Sequence, residues 1–223
     1  REKLIRSLID VLEKNKLQGV NVDFEELKEK SDEAFVSFQK ELYERLHAKN
    51  LLVTQDVIPF NEDYDYKALS KYNDFIFIMA YDEFSRGTKP GSIAEQKWIE
   101  AAVDDAVKKI PPGKIILNLA AFGYDWQVED EPDENDVETF TYQDALAKAK
   151  EYQARIDFDD DSYNLHFSYA DDEGMPHEVF FTDAATSFNA MRFANESQLA
   201  GVALWRLGSE DDRIWQFYNR NMS

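Results

Sequence analysis

The sequence predicts an α/β chain assembled from parallel strand–helix units, and three observations carry that prediction. Short apolar runs alternate with stretches in which apolar residues recur every three or four positions. Two of the runs, Asp74 to Tyr81 (DFIFIMAY) and Lys114 to Phe122 (KIILNLAAF), are almost unbroken in apolar residues. Such continuity is expected where a parallel sheet is covered on both faces. The helical stretches also carry stop signals, as at Pro111-Pro112-Gly113.

Leu4, Ile5, Leu8, Ile9 and Leu12 mark a first amphipathic helix. Leu17 to Glu25 (LQGVNVDFE) reads as a short strand that ends in acids. Ala34 to Ala48 is helical, with Phe35, Phe38, Leu42 and Leu46 on one face. Leu51 to Ile58 is a strand, Tyr66 to Tyr72 a short helix, and Asp74 to Tyr81 the third strand. Ile93 to Ile110 is a helix, and Lys114 to Phe122 the fourth strand. An acidic loop is expected over Val128 to Val137 and a helix over Gln143 to Gln153. Asn164 to Tyr169 and His177 to Phe181 then form a hairpin about an Asp-Asp-Glu-Gly turn. The hairpin interrupts the alternation and predicts a small α+β insertion, at approximately 138–186, in an otherwise single domain over 1–223. A helix over Ser187 to Glu196, a strand over Gly201 to Leu207 (GVALWRL) and a short helix holding Trp215 and Phe217 complete the chain. Trp98 and Trp215 fall on helical patterns and read as packing residues.

This makes five core strands, whereas a closed eight-stranded α/β barrel takes about 250 residues. An open doubly wound sheet is the alternative. No glycine-rich phosphate loop follows any strand, so the nucleotide-binding form of that sheet has little support. At 223 residues, 43% hydrophobic and 14% aromatic, the chain has the means to bury a core. Its formal net charge of -20 argues against nucleic acid and anionic lipid as partners. There is no Cys, hence no disulfide or thiolate chemistry. The three histidines, His47, His166 and His177, lie at no ligand spacing, so no metal site is expected. No organic cofactor is suggested either. The chain starts at Arg1 in a charged helical stretch, with neither initiator Met nor signal peptide, and is expected to be a piece of something longer.

Asn21, Asp23 and Glu25 alternate along the first strand and so share one face, at the end of the strand where α/β barrels place their active sites. Burying two carboxylates there is costly unless they are used or well hydrogen-bonded. On spacing alone the pair also fits a simple cap on the helix that follows.

The frame Gln18-Gly19-Val20-Asn21-Val22-Asp23-Phe24-Glu25 resembles the Asp-x-x-Asp-x-Asp-x-Glu strand signature of family 18 (chitinase-like) glycoside hydrolases. Its last two acids match, while Gln18 and Asn21 replace the earlier Asp positions. Three further segments resemble the family in the same order. Met79-Ala80-Tyr81-Asp82 is similar to its Met-x-Tyr-Asp, Ala120 to Trp126 to the segment after its seventh strand, and Gly201 to Asp211 to its eighth strand with a sugar-stacking Trp. Gly91-Ser92-Ile93-Ala94-Glu95-Gln96-Lys97-Trp98 is similar to bacterial members fused to polysaccharide deacetylase and glycosyltransferase modules.

The resemblance implies an incomplete TIM (β/α)8 barrel, its C-terminal five strands, with the family's first three strands absent. The resulting open edges imply self-association. It implies an N-acetylhexosamine polysaccharide or oligosaccharide as partner, in an extracellular or cell-envelope setting. Family 18 is an exception among retaining glycosidases, because the substrate's own 2-acetamido oxygen attacks the anomeric carbon. By motif, Glu25 is then the catalytic acid, Asp23 holds the acetamido nitrogen and Tyr81 donates to the acetamido carbonyl. Asp82 contacts the sugar or the acid pair, Trp205 forms the floor under the reacting sugar, and Trp126 lines the cleft. Burial beside Asp23 is expected to raise the pKa of Glu25, and the Asn21 amide to donate to Asp23. The alternatives are a non-catalytic carbohydrate-binding member and a scaffolding domain of a glycan-synthesis protein; retention of Glu25 favours the enzyme.

Overall fold

The computed structural model describes residues 1–25, 27, 33–128 and 137–216. The chain divides into two compact units, residues 1–79, 102–117 and 197–201 in one, and 80–101, 118–196 and 202–223 in the other.

The first unit is built of strand–helix repeats. Helix α1 (Glu2–Asn15) buries Ile5, Ile9 and Leu12, one face of the predicted stripe. It stops at Lys16, which turns left-handed at φ 54 and donates its N–H back to the last turn. Strand β1 (Gly19–Val22) leads to α2 (Glu33–His47), whose buried face is Phe35, Phe38, Leu42 and Leu46. Next come β2 (Leu52–Val57), the short α3 (Tyr66–Leu69) capped by the Asp65 carboxylate, and β3 (Phe75–Met79). β1 and β2 pair in parallel from Gly19↔Leu52 to Val22↔Gln55, and β2 and β3 from Thr54↔Phe75 to Val57↔Ile78. Only glycine fits at position 19, because a Cβ there would stand 2.3 Å from the Leu52 carbonyl oxygen. A buried amide chain ties α2 to the sheet: Gln39 Nε2 donates to Asn73 Oδ1 at 2.6 Å, and Asn73 Nδ2 to Gln55 Oε1 at 3.2 Å.

Helix α4 (Gln96–Ala106) and strand β4 (Ile115–Ala120) each belong partly to both units. Expected to start at Ile93, α4 starts at Gln96; Ile93 and Ala94 are buried in the segment before it.

The second unit adds β5 (Gly123–Gln127), β6 (Val137–Phe140), α5 (Tyr142–Glu151), β7 (Asp157–Phe158), β8 (Leu165–Ala170), β9 (Pro176–Phe181) and α6 (Ala184–Glu196). These strands form an antiparallel sheet in the order β6-β5-β9-β8-β7. The predicted hairpin is β8 and β9, while β5, β6 and β7 are additions to the sequence reading. Residues 129–136 of the expected acidic loop, and Phe217, lie outside the described residues. One face of this sheet packs Phe140, Phe167, Val179 and Phe181 against Tyr142, Ala145 and Ala149 of α5. The Thr141–Asp144 capping box starts that helix.

With β10 (Gly201–Trp205), the first sheet runs in the order β1-β2-β3-β4-β10. Among the described residues β1 and β10 are its edge strands.

Candidate active site

In the first unit the predicted acids lie just past a strand end. β1 stops at Val22, the last residue in register with β2, so Asp23 and Glu25 follow the strand rather than belong to it. Both are exposed, which corrects the expected burial. The physical reason is the position of β1, an edge strand with β2 on one side only. The segment is anchored through Phe24. Its carbonyl accepts from the Tyr64 hydroxyl at 2.8 Å, and its ring packs on Phe35 and Phe38, with centroids 5.8 and 6.2 Å away.

Asn21 also departs from expectation, because its amide donates to Asp56 and not to Asp23. The parallel register sets Asn21 opposite Thr54, so its side chain lies between Thr54 and Asp56, successive residues on that face of β2. Asn21 Nδ2 donates to Asp56 Oδ2 at 2.6 Å, and Asn21 Oδ1 accepts from the Thr54 hydroxyl at 2.7 Å. Asp56 is half-buried. Loss of solvation, and then the charges of Asp23 and Glu25, push its carboxyl up to about 6 against the pull of the Asn21 hydrogen bond. Tyr64 is pushed up as well, by burial first and then by Glu25, Asp23, Asp63 and Asp56.

In the second unit Tyr81 follows β3 and is half-buried. Asn118 Nδ2 reaches its hydroxyl at 3.3 Å, and its ring meets Phe122 edge-on at 5.9 Å. Asp82 adopts φ 62, a left-handed turn that Asp tolerates better than most residues. The Tyr124 hydroxyl donates to Asp82 Oδ1 at 2.9 Å. Desolvation holds the Asp82 carboxyl above the usual range despite that bond. Burial, followed by the Asp82 charge and hydrogen bond, raises Tyr124 in turn.

The two tryptophans differ. Trp205 ends β10 with 54% of its surface exposed, and its carbonyl accepts from the Ala121 N–H at 2.7 Å. Its peptide bond to Arg206 is cis. Trp126, expected to line a cleft, is 1% exposed and packs edge-on between Tyr124 and Phe180. It is a core residue, because it belongs to the hydrophobic cluster that includes Ile93, Phe122 and Tyr124. Asp56, Tyr64, Asn118 and Tyr124 were not singled out from the sequence. For Asp56 the signal was available: it is an acid near the C-terminal end of a parallel strand, the same rule that drew attention to Asp23 and Glu25.

Strand–helix repeats with carboxylates at and beyond the C-terminal ends of parallel strands are the arrangement in which α/β barrel domains place their sites. The chain belongs to the glycosyl hydrolases family 18, whose family model matches residues 1–211. It is similar to the chitinase of Chromobacterium violaceum ATCC 12472, at 30% identity and a TM-score of 0.90, over 98% of this chain and 70% of that one. It is also similar to the spore cortex-lytic enzyme SleL of Bacillus cereus, at 27% identity and a TM-score of 0.88, over 99% of this chain and 52% of that one. The cortical fragment-lytic enzyme of Bacillus anthracis is 26% identical, over 100% of this chain and 54% of its own length. The chain spans 51% to 64% of the length of the curated relatives it matches.

Proposed function

We propose that the protein containing this chain is a glycoside hydrolase of N-acetylhexosamine polysaccharides, chitin-like, peptidoglycan or exopolysaccharide, acting by substrate-assisted retention. The observation that carries this reading is the carboxylate group past β1, Asp23 and Glu25 with Asp56 beside them, in a chain that belongs to family 18. Relatives named as chitinase and as cortex-lytic enzyme support the substrate class.

In this reading the acetamido oxygen bonds to the anomeric carbon as the glycosidic C–O bond breaks, and Glu25 gives its proton to the leaving oxygen. Asp23 accepts from the acetamido N–H as positive charge develops, and Tyr81 donates to the acetamido oxygen. The resulting cyclic intermediate is opened by water, whose proton returns to Glu25, so the product keeps its anomeric configuration. Asp82, held by Tyr124, contacts the sugar or the acids. The exposed indole of Trp205 offers a flat apolar face to the sugar's C–H groups. We place the protein outside the cell or in the envelope, as one domain over 1–223 with an insertion at approximately 138–186. We further propose that the isolated chain self-associates through β1 and β10; solution scattering that finds only monomer would refute this.

The hydrolytic reading is tested on oligomers of N-acetylglucosamine and on their N-deacetylated counterparts. Cleavage of the first only, with the β-anomer appearing first by proton NMR, is expected. Equal cleavage of both, or an inverted first product, would overturn the substrate-assisted route.

A further inference from the structure

Between β3 and α4 the chain folds into a loop that is locked at its base and at its tip. At the base, the Glu83 N–H donates to the Ile93 carbonyl at 3.1 Å, and the Glu83 carboxylate accepts from the Glu95 N–H at 2.8 Å. Phe84 packs so closely on Gly91 that no Cβ would fit there. At the tip, the Thr88 N–H donates to the Ser85 carbonyl at 3.1 Å, and the Ser85 N–H to the Thr88 hydroxyl at 3.0 Å. Gly87, at φ 77, supplies the positive φ that the third position of such a turn requires. Arg86 occupies the second position and is exposed.

Its guanidinium is directed by the antiparallel sheet. Arg86 Nη2 donates to the Thr139 hydroxyl of β6 at 3.1 Å. Thr139 is opposite Tyr124 in the β5–β6 register, so the two side chains share one face, with Cβ atoms about 5 Å apart. Tyr124 in turn donates to Asp82 at 2.9 Å. The arginine therefore stands beside the pair assigned to the sugar. Acids outnumber bases by 45 to 25 in this chain, yet among the described residues no carboxylate pairs with Arg86.

We propose that Arg86 reads a carboxylate carried by the glycan next to the reacting N-acetylhexosamine, so that anionic polymers are preferred to neutral ones. The inference rests on the reading of the chain as a glycoside hydrolase and narrows its substrate class. A guanidinium fork matches a carboxylate with two parallel N–H donors, and the bond to Thr139 engages one N–H group. Lys89 follows on the same loop, its ammonium 6.0 Å from the centre of the Phe84 ring, and adds positive potential. Hydroxyls and amides of a neutral polymer offer nothing that meets this charge.

The test uses full-length protein and two carboxylate glycans, each beside its methyl ester. One carries an ether-linked lactyl group on alternate sugars, the other alternating uronic acid. Binding by calorimetry and kcat/KM are measured in the parent, Arg86→Gln, Arg86→Lys and Thr139→Val. The parent is expected to bind one of the two carboxylate glycans about tenfold more tightly than its ester, the scale of one charge-assisted pair. Which glycan shows the preference identifies the source of the carboxylate. Arg86→Gln should abolish the preference, Arg86→Lys should keep part of it, and Thr139→Val, which frees the guanidinium, should reduce it. Equal or absent binding of acid and ester by the parent, or a preference that survives Arg86→Gln, would overturn the proposal. If no glycan is cleaved but the preference is present and vanishes in Arg86→Gln, the carboxylate assignment stands and the hydrolytic reading falls. Cleavage without preference overturns the assignment alone.

Discussion

Replacing Asp56 by Asn has a consequence for stability that needs no substrate. In the unfolded chain Asp56 ionises at its ordinary value of 3.8, whereas in the folded chain it holds its proton up to about 6. Between those values the folded state binds a proton that the unfolded state has released. Raising the pH through this window therefore favours unfolding. Full stability from this group is present below the unfolded value and is lost as pH rises through the folded one. The interval is about 2 units, or about 3 kcal/mol at 1.36 kcal/mol per unit. Asp56 is only half-buried, and solvent screening reduces the expected effect to about 1.5 kcal/mol. Asn keeps the size and a hydrogen bond to Asn21 but cannot ionise. Urea unfolding of parent and Asp56→Asn, followed by circular dichroism near pH 4 and near pH 7.5, reads the difference directly. The variant should gain about 1.5 kcal/mol on the parent between those conditions. A difference that stays constant with pH would refute the burial argument for Asp56.

Other substitutions separate packing from binding. Trp126→Ala removes a fully buried indole and should cost about 3–5 kcal/mol in urea unfolding. Trp205→Ala, at an exposed indole, should change stability by less than about 1 kcal/mol. It should nevertheless abolish most of the rise in melting temperature produced by N-acetylglucosamine oligomers. Tyr124→Phe strips Asp82 of its hydroxyl donor; it should cost about 1–2 kcal/mol and move the Asp82 carboxyl further up, as carbon-13 titration would show.

Much of the parallel part of the fold was legible because its signals are local. The unbroken apolar runs became β3 and β4, and the three-to-four spacing of Ile5, Ile9 and Leu12 became the buried face of α1. The antiparallel sheet was legible only at its hairpin. β5 begins after Ala121 and Phe122, both buried, so no polar punctuation separates it from β4 in the sequence. Its partners β6 and β9 are remote in sequence, β9 by fifty residues or more, and those pairings make it a strand. The same distinction runs through the site. Asp23 and Glu25 were found from period and motif, which one strand suffices to show. The link from Asn21 to Asp56 depends on the register between two strands, and no spacing within either one encodes it. Trp126 misled because its neighbours match a motif at a strand end, whereas its burial is decided by Phe180 of β9.

The central claim is that Glu25 is the acid of a family 18 hydrolase. Its most direct test is reducing-end release from N-acetylglucosamine oligomers by the full-length protein, beside an isosteric Glu25→Gln variant. Release by the parent that disappears in the variant is the predicted result. Release that survives the substitution, or none from the parent on either chitin-like or peptidoglycan substrates, would contradict it.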